Sequence, residues 1–329
     1  MRVWLVNTLF GLVALLSTSA FAAHAGGKST LAQCLNAKLT PLEKTTQVGL
    51  IAENLTTGKL LYSKNPEQSF LPASVIKLVT AIAALAYLPE NYQFETSIHL
   101  AGKQLGNRFS GQAYFKFSGD PSFKSSYITR FVKKLYSQGI RTFNGNVIVD
   151  RSEFAAPDAA PGWLVDNVHI CYAAPINALI LDENCRRTSI YTKNSQVVIK
   201  PKFPFSFINQ VKINHDQKLP CSLEVAIKPG NQVVLYGCMQ QEQSYGLALA
   251  VRDPVNYLEQ RLKQGFKARG IVWRGQVKEG SLASSSKLLM SFHSQTLNLI
   301  IQDMLATSNN IEAEALLKKV RSALLWSRR

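Results

Sequence analysis

Along the first half of the chain, short apolar runs alternate with turn-forming residues. Residues 48–55 are an apolar, strand-like run; Thr56-Thr57-Gly58-Lys59 makes a turn, and residues 60–63 return, which predicts a β-hairpin. Pro72 then interrupts the chain, and Ser74 stands before the Ala/Leu-rich residues 78–85, a predicted helix. Residues 112–118 read as a strand closed by Gly119-Asp120-Pro121. Residues 126–138 keep a helical period up to Gly139, and 146–149 read as another strand. Residues 158–184 are rich in Pro and Ala and dense in turns. From 189 to about 249, β-runs such as 196–199 and 232–236 are separated by turns, which suggests a small β-rich domain. Residues 254–269 predict a helix stopped by Gly270, with a strand at 271–277 behind it, and Ser281 to Ser286 reads as a linker. Two helices, 295–305 and 311–320, flank the turn Ser308-Asn309-Asn310.

Composition narrows the class. A hydrophobic content of 46% and a charged content of 18% are ordinary for a globular protein. Residues 1–25 read as an export signal: Arg2, a nearly continuous apolar run over 4–16, and the small-x-small site Ala20-Phe21-Ala22. The run is shorter than the ~20 residues of a spanning helix, so an exported, periplasmic protein with no lasting membrane span is expected. The remaining residues suffice for two or three domains. The net charge of +16 suits an anionic cell envelope, but no dense basic block marks a nucleic-acid partner. Export permits disulfides, and Cys171/Cys185 and Cys221/Cys238 are the natural pairs, leaving Cys34 over. There is no C-x-x-C and the five histidines are scattered, so no metal is expected. Gly26-Gly27-Lys28-Ser29 resembles the end of a phosphate loop, but Ala22 stands where that loop needs its first glycine.

The candidate chemistry is Ser74-Val75-Ile76-Lys77. Three positions apart on a helix, the Ser74 hydroxyl and the Lys77 amine share a face. A helix N-terminus favours developing negative charge, and an apolar setting favours the neutral amine that can take the serine proton. An N-cap serine gives the same spacing, and the pattern recurs at Ser284-Ser285-Ser286-Lys287. Likewise Ser308-x-Asn310 has a second copy at Ser63-Lys64-Asn65. What distinguishes Ser74 and Ser308 is order: S-x-x-K after a hairpin, then S-x-N in a turn between helices.

That ordered pair resembles the penicillin-recognising serine enzymes, whose pattern is S-x-x-K, S-x-N, K-T-G. More narrowly, the chain resembles the class C low-molecular-mass penicillin-binding proteins, D-alanyl-D-alanine carboxypeptidase/endopeptidases. The match is carried by Gly119-Asp120-Pro121-Ser122, by Val149-Asp150-Arg151-Ser152-Glu153-Phe154 with Pro161-Gly162-Trp163, by residues 171–179 and by Val251-Arg252-Asp253-Pro254. It spans about 47–319. The resemblance implies an α+β fold: a transpeptidase-like domain (27–95 and 288–329), a first nested domain (96–165 and 251–287) and a second, β-rich one (166–250). It also implies that Ser74 is the acylated nucleophile, Lys77 its base, Ser308 the proton relay to the leaving amine and Asn310 a substrate-amide ligand. The implied substrates are peptidoglycan stem peptides, with β-lactams as acylating inhibitors and no cofactor or metal.

One part of the pattern is missing. No Lys-Thr-Gly or Lys-Ser-Gly occurs in the 329 residues; Lys228-Pro229-Gly230, Lys263-Gln264-Gly265 and Lys278-Glu279-Gly280 lack the hydroxyl and precede Ser308. Residues 320–329 are also expected to depart from the family, as a frameshift, a premature stop or a deliberate shortening would produce. The expectation is therefore an impaired enzyme with uncovered apolar surface. The alternatives are a non-catalytic cell-wall-binding remnant and a β-lactamase-like hydrolase, the latter opposed by the long insertion.

Overall fold

The computed structural model describes residues 2–5, 30–201, 203–216 and 220–326. Of the export signal expected over 1–25, all but strand β1 (Arg2–Leu5) lies outside them. The chain divides into two compact units, residues 1–79 and 80–329.

In the first unit, helix α1 (Leu31–Leu39) starts at Thr30, which forms a reciprocal capping box with Gln33. The predicted hairpin is β2 (Leu50–Glu53) and β3 (Leu60–Lys64), and β1 pairs antiparallel with β2. Leu39, Leu50, Ala52 and Tyr62 form its small core, where the Tyr62 hydroxyl donates to Asn36 Oδ1 at 2.6 Å. A Cβ at Gly49 would lie 2.5 Å from the Phe70 ring, so a larger residue there needs that ring to move. Helix α2 (Lys77–Tyr87) follows a 3₁₀ turn, Ala73–Ile76.

A seven-stranded mixed sheet organises the second unit. β4 (Glu95–Leu105) and β5 (Arg108–Lys116) form a long hairpin. The chain then runs through α3 (Ser125–Ser137), which buries Ile128, Phe131, Val132 and Leu135. It returns as β6 (Thr142–Asn144) and β7 (Val147–Asp150), both parallel to β5. Gly139, at φ 83°, ends α3 where the sequence predicts.

The β-rich insertion follows the turn-dense stretch. β8 (Cys185–Lys193) pairs antiparallel with β9 (Gln196–Lys200). β10 (Ser206–Asn209), β11 (Lys212–Asn214) and β12 (Leu223–Lys228) all pair with β13 (Gln232–Gln240), and β14 (Ser244–Ala250) returns to β8. The disulfides are Cys171–Cys185 and Cys221–Cys238, the expected pairs, and Cys34 is free and exposed.

Asn184 holds the turn-dense stretch together. Fully buried, it donates to the carbonyls of Pro175 and Leu179 at 2.9 and 3.1 Å and accepts from Leu181 N at 3.0 Å. Beside it, Asp182 takes hydrogen bonds from the Tyr257 hydroxyl and from Ser125 N. Burial pushes the Asp182 carboxyl up, but these bonds and Arg186 outweigh it and hold the group below its usual range.

Helix α4 (Pro254–Ala268) is capped by Asp253, which accepts from Asn256 N at 2.9 Å. Behind it, the single strand predicted for 271–277 is two strands, β15 (Val272–Arg274) and β16 (Val277–Glu279), parallel to β6 and β7. The break falls at Gly275, where a Cβ would lie 1.8 Å from the Gly145 carbonyl oxygen. Both strand pairs are thus interrupted at facing glycines. β17 (Lys287–His293) closes the opposite edge against β4. Helices α5 (Leu297–Thr307) and α6 (Asn310–Trp326) complete the unit. Its core is aromatic, with Phe94, Phe115, Phe117, Phe131, Phe143 and Phe266 at 2% exposure or less.

Candidate active site

Ser74 lies one turn earlier than a simple helix start: it belongs to the 3₁₀ turn that feeds α2. This turn tightens the predicted geometry, because residues i and i+3 eclipse in a 3₁₀ helix. Lys77 Nζ sits 3.0 Å from Ser74 Oγ. Ser74 is exposed, whereas Lys77 is 5% exposed. The arrangement is an accessible hydroxyl with a sheltered amine in contact with it, which is the geometry of a nucleophile and its base. Ala73, just before Ser74, has a φ of 43°, a left-handed conformation that costs an alanine ~1–2 kcal/mol. Strain of this kind is concentrated where a fold aims a reacting group.

Ser308 and Asn310 occur in the second unit. Ser308 ends α5 in the left-handed conformation, φ 58° and ψ 38°, and its N–H bonds the Met304 carbonyl. Asn309 N reaches the same carbonyl at 3.1 Å, as in a Schellman-type cap. The Asn309 side chain then caps α6, accepting from Ile311 N at 2.9 Å. The turn is therefore a double cap, the capping device the sequence allows, and it also displays an exposed serine. Ser308→Gly should relieve the left-handed strain and stabilise the protein by about 0.5–1 kcal/mol while removing the hydroxyl. Thermal unfolding alongside penicillin labelling checks both halves.

Asn310 Nδ2 donates to the Tyr172 carbonyl at 3.1 Å, a contact absent from the sequence reading. Tyr172 follows Cys171, which the disulfide ties to Cys185. The paired change Cys171→Ser/Cys185→Ser should therefore cost about 3 kcal/mol for a loop of this length and loosen Asn310. Denaturant titration and labelling rate are the measurements. Two adjacent lysines, also missed, dock α6: Lys319 on Glu153, and Lys318 on the Pro157 carbonyl at 2.6 Å. Both partners lie in or beside the stretch 149–154 that carries the resemblance.

Comparisons with known proteins bear on the family of the chain. The model of the D-Ala-D-Ala carboxypeptidase 3 (S13) family matches residues 31–326, and the chain belongs to that family. It is 28% identical over 286 residues to the D-alanyl-D-alanine carboxypeptidase DacB of Haemophilus influenzae, covering 85% of this chain and 60% of that protein. It is 23% identical over 323 residues to a D-alanyl-D-alanine carboxypeptidase of an Actinomadura species, covering 90% and 60%. The crystal structure of penicillin binding protein 4 from Haemophilus influenzae superposes with a TM-score of 0.77 at 27% identity, over 85% of this chain and 63% of that one. A second structure of that protein, complexed with a β-lactam, gives 0.70 at 25% identity over 85% and 61%. The chain thus spans about 60% of the length of the relatives it matches. One expectation is corrected: residues 320–326 fall inside the family match. Physically, α6 continues through them, with Val320 buried at 4% and Ala323 and Leu324 packed on the core.

Proposed function

We propose that this chain performs acyl transfer on D-Ala-D-Xaa bonds of peptidoglycan stem peptides in the periplasm, as a carboxypeptidase/endopeptidase. The observation that carries the reading is the 3.0 Å contact between Ser74 Oγ and the sheltered Lys77 Nζ. In the mechanism, neutral Lys77 takes the Ser74 proton while Oγ attacks the substrate carbonyl. Ser308 relays that proton from Lys77 to the departing amine nitrogen; the C–N bond breaks, an ester is left on Ser74, and Lys77 is neutral again. Asn310, steadied by the Tyr172 carbonyl, uses the remainder of its amide to hold the substrate peptide. Water then hydrolyses the ester. A β-lactam enters the same path and leaves Ser74 acylated. The nested organisation, 96–165 with 251–287 and 166–250 within it, is part of this reading.

Turnover by the 329 residues alone is proposed to be weak. They hold no Lys-Thr-Gly or Lys-Ser-Gly to bind the substrate carboxylate, and the loss of one oxyanion donor costs ~10²–10³-fold in rate. A second reading is that these 329 residues bind cell wall without catalysis, since they carry no Lys-Thr-Gly or Lys-Ser-Gly. Labelling of the purified chain with a fluorescent penicillin, with Ser74→Ala as control, separates the two. A Ser74-dependent covalent band upholds acyl transfer; a folded protein that gives no band, yet is retained on isolated cell wall, upholds non-catalytic binding.

A further inference from the structure

Three of the four stretches that carry the resemblance meet at one cavity, and the acyl-transfer reading gives them no chemical role there. The cavity holds about 430 Å³ and lies where the seven-stranded sheet, the β-rich insertion and the start of α4 come together. Its charged residues form two groups. In the first, Arg151 Nε donates to Glu279 Oε2 at 2.7 Å and Nη1 to Asp158 Oδ2 at 3.3 Å. The same Asp158 oxygen accepts from buried Asn177 Nδ2 at 2.8 Å. Two carboxylates thus share one guanidinium, while Glu279 Oε1 and Asp158 Oδ1 accept from none of the described residues. Lys318, the other cation near Asp158, is held by the carbonyls of Ala155 and Pro157. This group has room for an ammonium.

The second group is basic. Among the described residues, Lys228 has no side-chain partner and Arg252 has the Val168 carbonyl alone, at 3.3 Å. Asn231 fixes where they stand. Fully buried, it donates to the Asp253 carbonyl at 2.8 Å and accepts from Asp253 N at 2.9 Å, which ties the Lys228-Pro229-Gly230 turn to Arg252-Asp253. This group has room for a carboxylate. Asp253, which also lines the cavity, caps α4 with Oδ1. A simple cation or anion would satisfy one group and meet the opposite polarity in the other. A molecule carrying both charges satisfies the two together.

We propose that this cavity binds a small zwitterion, a free amino acid or short peptide, with its ammonium on Glu279 and Asp158 and its carboxylate on Lys228 and Arg252. The volume lies within the ~300–1,000 Å³ of small-molecule sites. The proposal goes beyond the acyl-transfer reading and does not depend on it, since Ser74, Lys77, Ser308 and Asn310 take no part in the lining.

The experiment is a ligand-observed NMR titration of the full chain with L-alanine and L-alanyl-L-alanine. Two analogues each lack one charge: N-acetyl-L-alanyl-L-alanine and L-alanyl-L-alaninamide. A Kd of ~0.1–5 mM is expected for at least one zwitterion, in keeping with so few atoms. The tighter of the two tells amino acid from peptide. Each analogue should bind ~5-fold more weakly or worse, the effect of losing hydrogen bonds to a charged group. Lys228→Met and Glu279→Gln, both at exposed positions, should weaken the zwitterion to the same extent with unchanged melting temperatures. Glu279→Gln still offers Arg151 an oxygen. No saturable binding, analogues that bind as well, or binding that either variant leaves intact overturns the proposal. Penicillin labelling of the same proteins separates the two readings. Zwitterion binding without any labelling upholds the cavity and counts against acyl transfer; labelling without zwitterion binding does the reverse.

Discussion

Lys77→Met is expected to slow penicillin acylation of Ser74 by ~10²–10⁴-fold, the usual contribution of a positioned general base. The amine lies 3.0 Å from the hydroxyl, so its removal takes away the base to which the proposed mechanism assigns the Ser74 proton. The fold should survive the change. Lys77 is 5% exposed, methionine has a similar length, and a sheltered amine carries a desolvation cost that a thioether does not. The melting temperature is therefore expected to stay level or rise while the labelling rate collapses. Lys77→Arg should not rescue the rate, because a guanidinium stays protonated and cannot accept the serine proton. Time-resolved labelling of the three proteins is the measurement. Wild-type labelling by Lys77→Met would mean that the Ser74–Lys77 contact is structural.

The largest expected loss of stability comes from Asn184→Ala, ~3–5 kcal/mol. The side chain makes three hydrogen bonds in a fully buried site. Its removal strands the N–H of Leu181 and the carbonyls of Pro175 and Leu179, and each buried unsatisfied group costs about 1–3 kcal/mol. The φ of 48° at this position adds ~1 kcal/mol against alanine. Asn184→Asp keeps the acceptor for Leu181 but presents oxygen to two carbonyls, so it should recover little. Urea titration reads both variants. Because Ala250, Val251 and the Cys171–Cys185 bridge are tied to the same stretch, the insertion is expected to loosen along with it.

Local chemistry made much of this protein legible in its residues. The hairpin after residue 48, α3 with its Gly139 stop and α4 after Asp253-Pro254 all depend on periodicity, caps and turn residues that act within a few positions. The pairing of Ser74 with Lys77 is local too, since three residues on one turn settle it. The order of S-x-x-K and S-x-N pointed to the family that the comparisons then established.

Where the reading stopped, the deciding contacts were distant in sequence. β17 pairs with β4 almost two hundred positions away, and its short apolar run carries no mark of that partner. The division of 271–277 into β15 and β16 depends on Gly145 facing Gly275. Residues 320–326 looked foreign in composition, yet α6 buries Val320 and packs Ala323 and Leu324 against the core. By itself, the sequence determined which hydroxyl, amine and capping side chains stand at which local spacing, because those capacities belong to side chains and their near neighbours. Only the tertiary structure decided that the Tyr172 carbonyl steadies Asn310 and that Lys319 of α6 docks on Glu153. Each of those depends on how separate elements pack, and side-chain periodicity carries no record of the partner.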